Sequence, residues 1–160
     1  MSQFPECDAL VLEGGSLRCA FTAGVLDAFA AVDYRPFNHY IAVSAGSMAL
    51  TSFLSGQRKH FIELAMELAD DSRFISFRSA FSEEGLMNLS FLAKTVMESA
   101  PIDWSVLEEE IAGKKVLIVT TDAEQGLPLY LEPNTKDWMR CVLASSTLPL
   151  VTRGRIKVNG

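Results

Sequence analysis

The sequence predicts an α/β fold with a mainly parallel central sheet and helices on both of its faces. Two apolar runs, residues 9–12 and 40–43, each lead into a corner of small residues, and apolar side chains at helical spacing follow each corner. A third run, residues 115–121, is rich in β-branched side chains, which are typical of strands. Strands that alternate with helices in this way pair in parallel, with the helices packed against the sheet.

Apolar periodicity and turn residues assign the other elements. Residues 18–31 predict a helix that ends before Pro36, a second helix begins at Ser44, and residues 61–68 continue as another helix. The second half of the chain adds a hairpin and a late helix. Its expected elements are an antiparallel strand at 129–131 and a helix at 138–143 that is broken by Pro149.

Residues 70–101 allow two interpretations. Phe74, Phe77 and Phe81 are interleaved with Arg73 and Arg78. Aromatic rings beside arginines suit a lid or a surface that meets lipid headgroups. Apolar spacing of this kind more often belongs to a core, so we favour the interpretation in which these phenylalanines cap the core beneath a long connection.

Size and composition predict a single globular domain over residues 1–160. The chain has 49% hydrophobic and 21% charged residues, enough to bury a core. Its net charge of −6 argues against a nucleic-acid partner, because phosphate contacts require clustered lysines and arginines. The charge does not exclude a membrane surface, since apolar contacts can outweigh it.

The cysteines and the N-terminus predict a cytoplasmic protein. Cys7, Cys19 and Cys141 are an odd number without CxxC spacing, which argues against a disulfide scaffold and a zinc site. The first residues lack the basic start and apolar stretch of a signal peptide, and no apolar run approaches the ~20 residues that span a bilayer. We expect neither a metal nor a cofactor.

The second corner presents one serine. Ser44 follows a strand of the buried type and opens an apolar helix, with Ala42 two positions before it and Gly46 two positions after it. In a nucleophile elbow, usually G-x-S-x-G, these neighbours crowd together and must be small. A serine in a strand-to-helix loop is otherwise most often a helix cap. Its place directly after the strand favours the elbow.

The first corner has two glycines after a strand. Backbone N–H groups at Gly14, Gly15 and Ser16 are predicted to be free to hold an oxyanion. A dinucleotide-binding loop is the alternative, but it requires G-x-G-x-x-G and the next glycine here is Gly24. The pair is also compatible with a simple turn. Arg18 favours a function, because a cation at the positive end of a helix is otherwise unfavourable.

Together these segments resemble the patatin-like phospholipases. Residues 13–19 (EGGSLRC) resemble the family's oxyanion loop, (D/E)-G-G-G-x-(R/K)-G, and residues 42–46 (AVSAG) resemble its G-x-S-x-G elbow. Residues 120–130 look like the family's central strand and hairpin. Residues 144–149 (ASSTLP) look like the helix end that precedes its catalytic aspartate, and the resemblance implies that the strand after this segment is residues 155–158. The motifs follow the family's order over nearly the whole chain.

The resemblance implies a Ser–Asp dyad that hydrolyses lipid esters without a catalytic histidine. By analogy, Ser44 attacks the acyl carbonyl while the N–H groups of Gly14, Gly15 and Ser16 hold the oxyanion. Arg18 stabilises this loop or binds a headgroup phosphate. The implied partners are a lipid or ester substrate and a membrane surface that the protein contacts peripherally.

The chain departs from the family pattern at several positions. Ser16, Cys19 and Ala42 stand where the family has glycine, and Ser16 adds a side chain where backbone must approach a substrate closely. The D-G-(G/A) motif that carries the family's aspartate does not occur, and the amide of Asn159 cannot accept a proton from serine. We therefore expect a chain truncated at its C-terminus, of poor activity, with an exposed sheet edge that favours self-association.

Two other functions stay open. A non-catalytic lipid- or partner-binding module of the same fold would resist fluorophosphonate labelling at Ser44. A phosphate- or nucleotide-binding α/β domain would bind its ligand at Gly14 and Gly15, with an affinity that Ser44→Ala leaves unchanged.

Overall fold

A four-stranded sheet forms the centre of the structure, a computed structural model that describes residues 8–74, 87–149, 151–152 and 155–158. The strands lie in chain order across the sheet. The first three pair in parallel, and the fourth runs antiparallel to the third. They are β1 (Ala9–Leu12), β2 (His39–Val43), β3 (Lys115–Thr121) and β4 (Pro128–Leu131).

Six α-helices accompany the sheet in the described ranges, and a short 3-10 turn, Ser16–Arg18, precedes the first of them. Among these helices none has both the length and the apolar character that a transmembrane span requires. The helices are α1 (Cys19–Ala31), α2 (Ala45–Leu54), α3 (His60–Asp70), α4 (Leu89–Glu98), α5 (Trp104–Ile111) and α6 (Trp138–Ser145).

The register of the parallel strands separates a buried face of the sheet from a more open one. Leu12, Ala42 and Ile118 lie side by side, and all three are buried. One residue earlier on each strand the side chains point to the other face, because strand residues alternate. There Val11 pairs with Ile41, and Val11 is 67% exposed. The hydrophobic core therefore lies mainly on the first face.

Helix α2 lies at the centre of this core. Eight of its ten residues are buried, although several of them carry hydroxyl groups. Thr51 donates to the carbonyl of Ser47 at 2.7 Å and accepts a hydrogen bond from the indole N–H of Trp138 at 2.8 Å. Ser52 donates to the Met48 carbonyl at 3.3 Å. These bonds allow a hydroxyl-rich helix to be buried, since a buried polar group is costly without a partner.

The predicted α/β class with a mainly parallel sheet is confirmed. Most predicted strands and helices occur within one or two residues of their expected bounds. The strand predicted at 155–158 is wrong. In the described structure these residues make no backbone hydrogen bond to the sheet, and Val158 packs against the core instead. Apolar alternation alone does not make a strand where no neighbouring strand pairs with it.

The region that the sequence left ambiguous contains α4. Its N-cap is Asn88, whose side chain accepts the N–H of Phe91 at 2.8 Å. Phe74 is buried, which agrees with the core interpretation, whereas Phe77 and Phe81 lie outside the described residues. Asp103 caps α5 in the same way as Asn88 caps α4.

Candidate active site

The two corners identified in the sequence meet in space. The corner after β1 carries Gly14, and the corner after β2 carries Ser44. A methyl group at Gly14 would lie 3.0 Å from Ser44 Cβ and 3.7 Å from Ser44 Oγ. Adjacent parallel strands end at the same edge of a sheet, which is why two corners distant in sequence become neighbours. The serine hydroxyl therefore stands beside the glycine loop.

Ser44 has the strained backbone of a sharp strand-to-helix turn. Its φ of 53° and ψ of −128° lie in a region that residues with a Cβ rarely adopt. Gly46 allows the two corners to approach closely, because a methyl group there would lie 2.3 Å from the carbonyl oxygen of Glu13 and 3.0 Å from that of Leu12. Ala42 is fully buried within β2, so its methyl group is accommodated in the sheet.

The backbone of Ser44 is held by hydrogen bonds at both ends. Its N–H donates to Ser145 Oγ at 2.7 Å, and the Ser145 hydroxyl donates in turn to the carbonyl of Val119 at 2.5 Å. The carbonyl of Ser44 accepts the N–H of Ser47 at 2.8 Å and the hydroxyl of Ser47 at 2.5 Å. The side-chain oxygen of Ser44 takes part in none of the described hydrogen bonds.

The glycine corner differs from the serine corner because its backbone N–H groups are unpaired in the described structure. Within the described part of the chain, the backbone N–H groups of Gly14, Gly15 and Ser16 donate to no acceptor. Gly15 has a φ of 153° and Ser16 a φ of 51°, and the loop then tightens into the 3-10 turn with Arg18 N–H bound to the Gly15 carbonyl at 3.0 Å. Unpaired N–H groups at the start of a helix are a site for negative charge.

Arg18 lies on the outside of this loop. Its side chain is 79% exposed and forms an ion pair of 3.4 Å with the carboxylate of Glu13, which is also exposed. Arg18 is not among the residues that line the cavity beside Ser44 in the described structure. Next to it, Cys19 is buried with its thiol 3.5 Å from the Glu13 carbonyl, and burial together with the charge of Glu13 raises the pKa of that thiol.

A cavity of about 440 Å³ opens at the two corners. Ser44, Gly14, Gly15 and Ser16 form one side of it. Apolar side chains of α2, α3 and α4 form most of the rest, and Ser146 is a further polar residue of the lining. No carboxylate or imidazole is found in this lining as far as the structure describes it. The apolar side chains include Met48, Phe61, Leu64, Leu68, Leu89 and Leu92.

His39, His60 and Asp122 do not line the cavity, and each has hydrogen-bond partners outside the lining. His39 pairs with Asp8 at 2.9 Å, and His60 accepts or donates at both ring nitrogens within the helical layer. Asp122 accepts the N–H groups of Gln125 and Glu124 in the β3–β4 turn, and these bonds lower its pKa. The described residues contain no cluster of three or more His, Cys, Asp or Glu side chains arranged to hold a metal ion.

The family model of the patatin-like phospholipases matches residues 10–160. The chain belongs to this family. It is also 28% identical over 153 residues to the uncharacterized protein YjjU of Escherichia coli (strain K12), an alignment that covers 95% of this chain and 43% of YjjU. The patatin-like chain therefore spans less than half the length of that relative. No solved structure gave a significant match.

The predicted site residues fall into two groups in this patatin-like structure. Gly14, Gly15, Ser16 and Ser44 come together at the cavity, with Ala42 and Gly46 packed behind them. Arg18 stands apart from the lining.

Sequence reasoning missed the contact between Ser145 and Ser44, and it also missed the wall contributed by α4. The signal for Ser145 was its place in the segment of residues 144–149 that resembles the family. The apolar spacing of Leu89, Leu92 and Val96 was the signal for α4.

Proposed function

We propose that the chain carries the acyl-transfer site of a lipid acyl hydrolase, with Ser44 as the nucleophile. The observation that carries this proposal is that Ser44 Oγ lies beside the glycine loop, whose N–H groups have no acceptor in the described structure. Membership of the patatin-like phospholipase family supports the same class of chemistry. Acyl transfer needs both an exposed nucleophile and donors for the developing oxyanion.

The reaction begins with attack of Ser44 Oγ on the carbonyl carbon of an ester. The carbonyl oxygen takes up negative charge and accepts hydrogen bonds from the N–H groups of Gly14, Gly15 and Ser16. The hydroxyl proton passes through water to the leaving oxygen, which departs as the alcohol. The acyl group remains on Ser44 until a water molecule hydrolyses this second ester and regenerates the serine hydroxyl. One oxyanion donor contributes about 3 kcal/mol to such a barrier.

The walls of the cavity suit a fatty acyl chain. Met48, Leu64, Leu68 and Leu92 offer an apolar surface beside the nucleophile, and burying an acyl chain there gains about 0.8 kcal/mol for each methylene group. The polar end of a lipid then lies towards the exposed glycine corner. Arg18, paired with Glu13, acts in this proposal by stabilising the loop.

The apolar surface around the glycine corner supports peripheral contact with a membrane. Leu17 lines the cavity and is 48% exposed, and Phe21, one helical turn later, is 81% exposed. We propose that this pair enters the lipid surface while the substrate is bound. Phe21→Ala is expected to weaken binding to phosphatidylcholine vesicles in a sedimentation assay.

A general base completes the mechanism. The family places an aspartate in a D-G-(G/A) motif, which this sequence lacks, and Asn159 lies outside the described residues. Without a base, oxyanion stabilisation and binding leave ~10³–10⁴-fold catalysis over water. We therefore expect slow ester turnover by residues 1–160, and the variant Asn159→Asp tests whether a carboxylate at this position raises it.

Fluorophosphonate labelling tests the role of Ser44. The probe is expected to modify Ser44, with the site identified by peptide mass spectrometry, and Ser44→Ala is expected to abolish the modification. Ser105→Ala, an exposed serine on α5, is the control and keeps the labelling. Equal labelling of the Ser44→Ala variant and the parent chain would contradict the proposal.

A non-catalytic lipid-binding module is the second candidate. It is favoured by the lack of a carboxylate or imidazole in the described cavity lining. In that case the chain binds fatty acids with the same affinity before and after Ser44→Ala, but the parent chain resists labelling and hydrolyses no ester. Titration with a fluorescent fatty acid beside the labelling experiment separates the two functions.

A further inference from the structure

Ser145 lies at a junction of three elements. It is the last residue of α6, and only 7% of it is exposed. Its hydroxyl accepts the Ser44 N–H and donates to the Val119 carbonyl, at 2.7 Å and 2.5 Å. The end of α6 is also tied to β3 by the Thr120 hydroxyl, which donates to the carbonyl of Ala144 at 3.0 Å.

The chemistry of this junction explains why a hydroxyl stands there. The pairing of β2 with β3 ends at Val43 and Val119, because the chain turns away sharply at Ser44. Beyond this point the Ser44 N–H donates to Ser145 Oγ, and the Ser145 hydroxyl donates to the Val119 carbonyl, so Ser145 bridges the ends of the two strands. A hydroxyl accepts one hydrogen bond and donates another, so Ser145 satisfies both groups at once. An alanine side chain can satisfy neither.

We propose that Ser145 is a positioning residue for the nucleophile. Its hydroxyl holds the N–H of Ser44, and this fixes the backbone from which Ser44 Oγ projects towards the glycine loop. The inference rests on the proposed role of Ser44. Fixing the attacking atom matters because a displacement of about 1 Å can lower a reaction rate by ~100-fold.

Two substitutions at Ser145 and one matched control test this role. Ser145→Ala removes both hydrogen bonds, and Ser145→Cys keeps the approximate volume while weakening them. Thr147→Val is the control, because the Thr147 hydroxyl is also near the end of α6 but donates to the Leu143 carbonyl of its own helix at 3.0 Å. Thr147 does not line the cavity.

The decisive readout separates positioning from binding. Fluorophosphonate labelling is followed at several probe concentrations, below the unfolding temperature of every variant. Ser145→Ala is expected to lower the limiting rate about 10- to 100-fold with an unchanged half-saturating concentration. The limiting rate of Ser145→Cys should lie between those of Ser145→Ala and the parent, and the rate of Thr147→Val should equal that of the parent. A folded Ser145→Ala variant with the parental rate, or an equal loss in Thr147→Val, would overturn the inference.

Hydrogen exchange of the Ser44 amide makes the inference testable without any reaction. Loss of its acceptor in Ser145→Ala is expected to speed exchange of this amide about 10-fold or more, while neighbouring amides of α2 stay protected. Unchanged exchange would overturn the inference. A different result is faster exchange in Ser145→Ala together with a parent chain that is never labelled at Ser44. That result would contradict the proposed function, because Ser145 would then hold a serine that does not react.

Discussion

The two strand-to-helix corners use their backbone N–H groups in opposite ways. At the serine corner the N–H and carbonyl of Ser44 are both bonded, to Ser145 and Ser47. At the glycine corner the N–H groups of Gly14 and Gly15 have no acceptor among the described residues. The helices that follow differ too, because α2 is almost wholly buried, whereas only three residues of α1 are.

This difference matches what each half of an acyl-transfer site must do. A nucleophile has to be fixed, so the backbone that carries it is tied down by side chains from distant parts of the chain. Oxyanion donors have to be unoccupied until charge develops, so their loop must be shaped without using its own N–H groups. Steric contact shapes that loop here, at Gly14 against Ser44 and at Glu13 against Gly46.

Gly46→Ala should have the largest effect, because it forces the corners apart. Its methyl group would meet two backbone oxygens, those of Glu13 and Leu12, at 2.3 and 3.0 Å. We expect the free energy of unfolding in urea to fall by about 2–3 kcal/mol and labelling of Ser44 to be lost. Gly24→Ala, at an open position on α1, is the control and should stabilise by about 0.5–1 kcal/mol. A Gly46→Ala variant as stable as the parent would show that the corners can separate freely.

Gly14→Ala should disturb the chemistry more than the fold. The added methyl group would lie 3.0 Å from Ser44 Cβ and 3.2 Å from the Val43 carbonyl oxygen, so the loop must move by a few tenths of an ångström. We expect the labelling rate to fall about 100-fold, as when an oxyanion donor is lost. The free energy of unfolding should fall by no more than about 1 kcal/mol. If the labelling rate and the free energy of unfolding fell in proportion, Gly14 would matter for the fold and not specifically for the chemistry.

The strain at Ser44 can be measured by comparing two variants that both lack the hydroxyl. Ser44→Gly should be more stable than Ser44→Ala by about 1–2 kcal/mol, because glycine adopts a φ of 53° and a ψ of −128° without steric cost. The same pair at Ser47, inside α2, should show the reverse order by about 0.5–1 kcal/mol. Equal stabilities at position 44 would mean that the elbow stores no strain.

Arg18→Gln should have the smallest effect. The ion pair with Glu13 is exposed on both sides, and such pairs contribute about 0.5 kcal/mol or less. The labelling rate should hardly change, since Arg18 does not line the cavity. Arg35→Gln is the contrasting variant, because Arg35 stacks over Phe53 at 4.5 Å and pairs with Glu110 at 3.6 Å, and its loss should lower the melting temperature clearly. A large loss of labelling in Arg18→Gln would show that Arg18 contributes to the reaction at Ser44.

Local sequence was sufficient to predict the four strands of the sheet and both corners. The run at residues 115–121 is continuous and β-branched, and it forms β3 with those bounds. Gly14 and Gly46 were recognised as small residues at corners, which is a local property. The contacts that require them to be small, at Ser44 and Glu13, join different strands and could not be derived from composition.

Longer-range features were harder to predict. Ser145 and Ser44 are separated by 101 positions, and no spacing rule connects them. Residues 155–158 alternate like a strand but lack a pairing partner in the described structure, a condition that depends on the rest of the fold. Helix α4 was not predicted although Asn88 is a good capping residue, because residues 70–101 were interpreted as a long connection over the core.

The burial of α2 has an electrostatic consequence for Ser44, which stands at the N-terminal end of that helix. Aligned peptide dipoles place partial positive charge at this end, and a buried helix is surrounded by protein rather than by mobile ions. Dissolved salt screens exposed charges over about 10 Å at 0.1 M but reaches a buried dipole much less. We therefore expect the attraction of the α2 dipole for a negative charge beside Ser44 to depend less on ionic strength than the attraction at an exposed helix end.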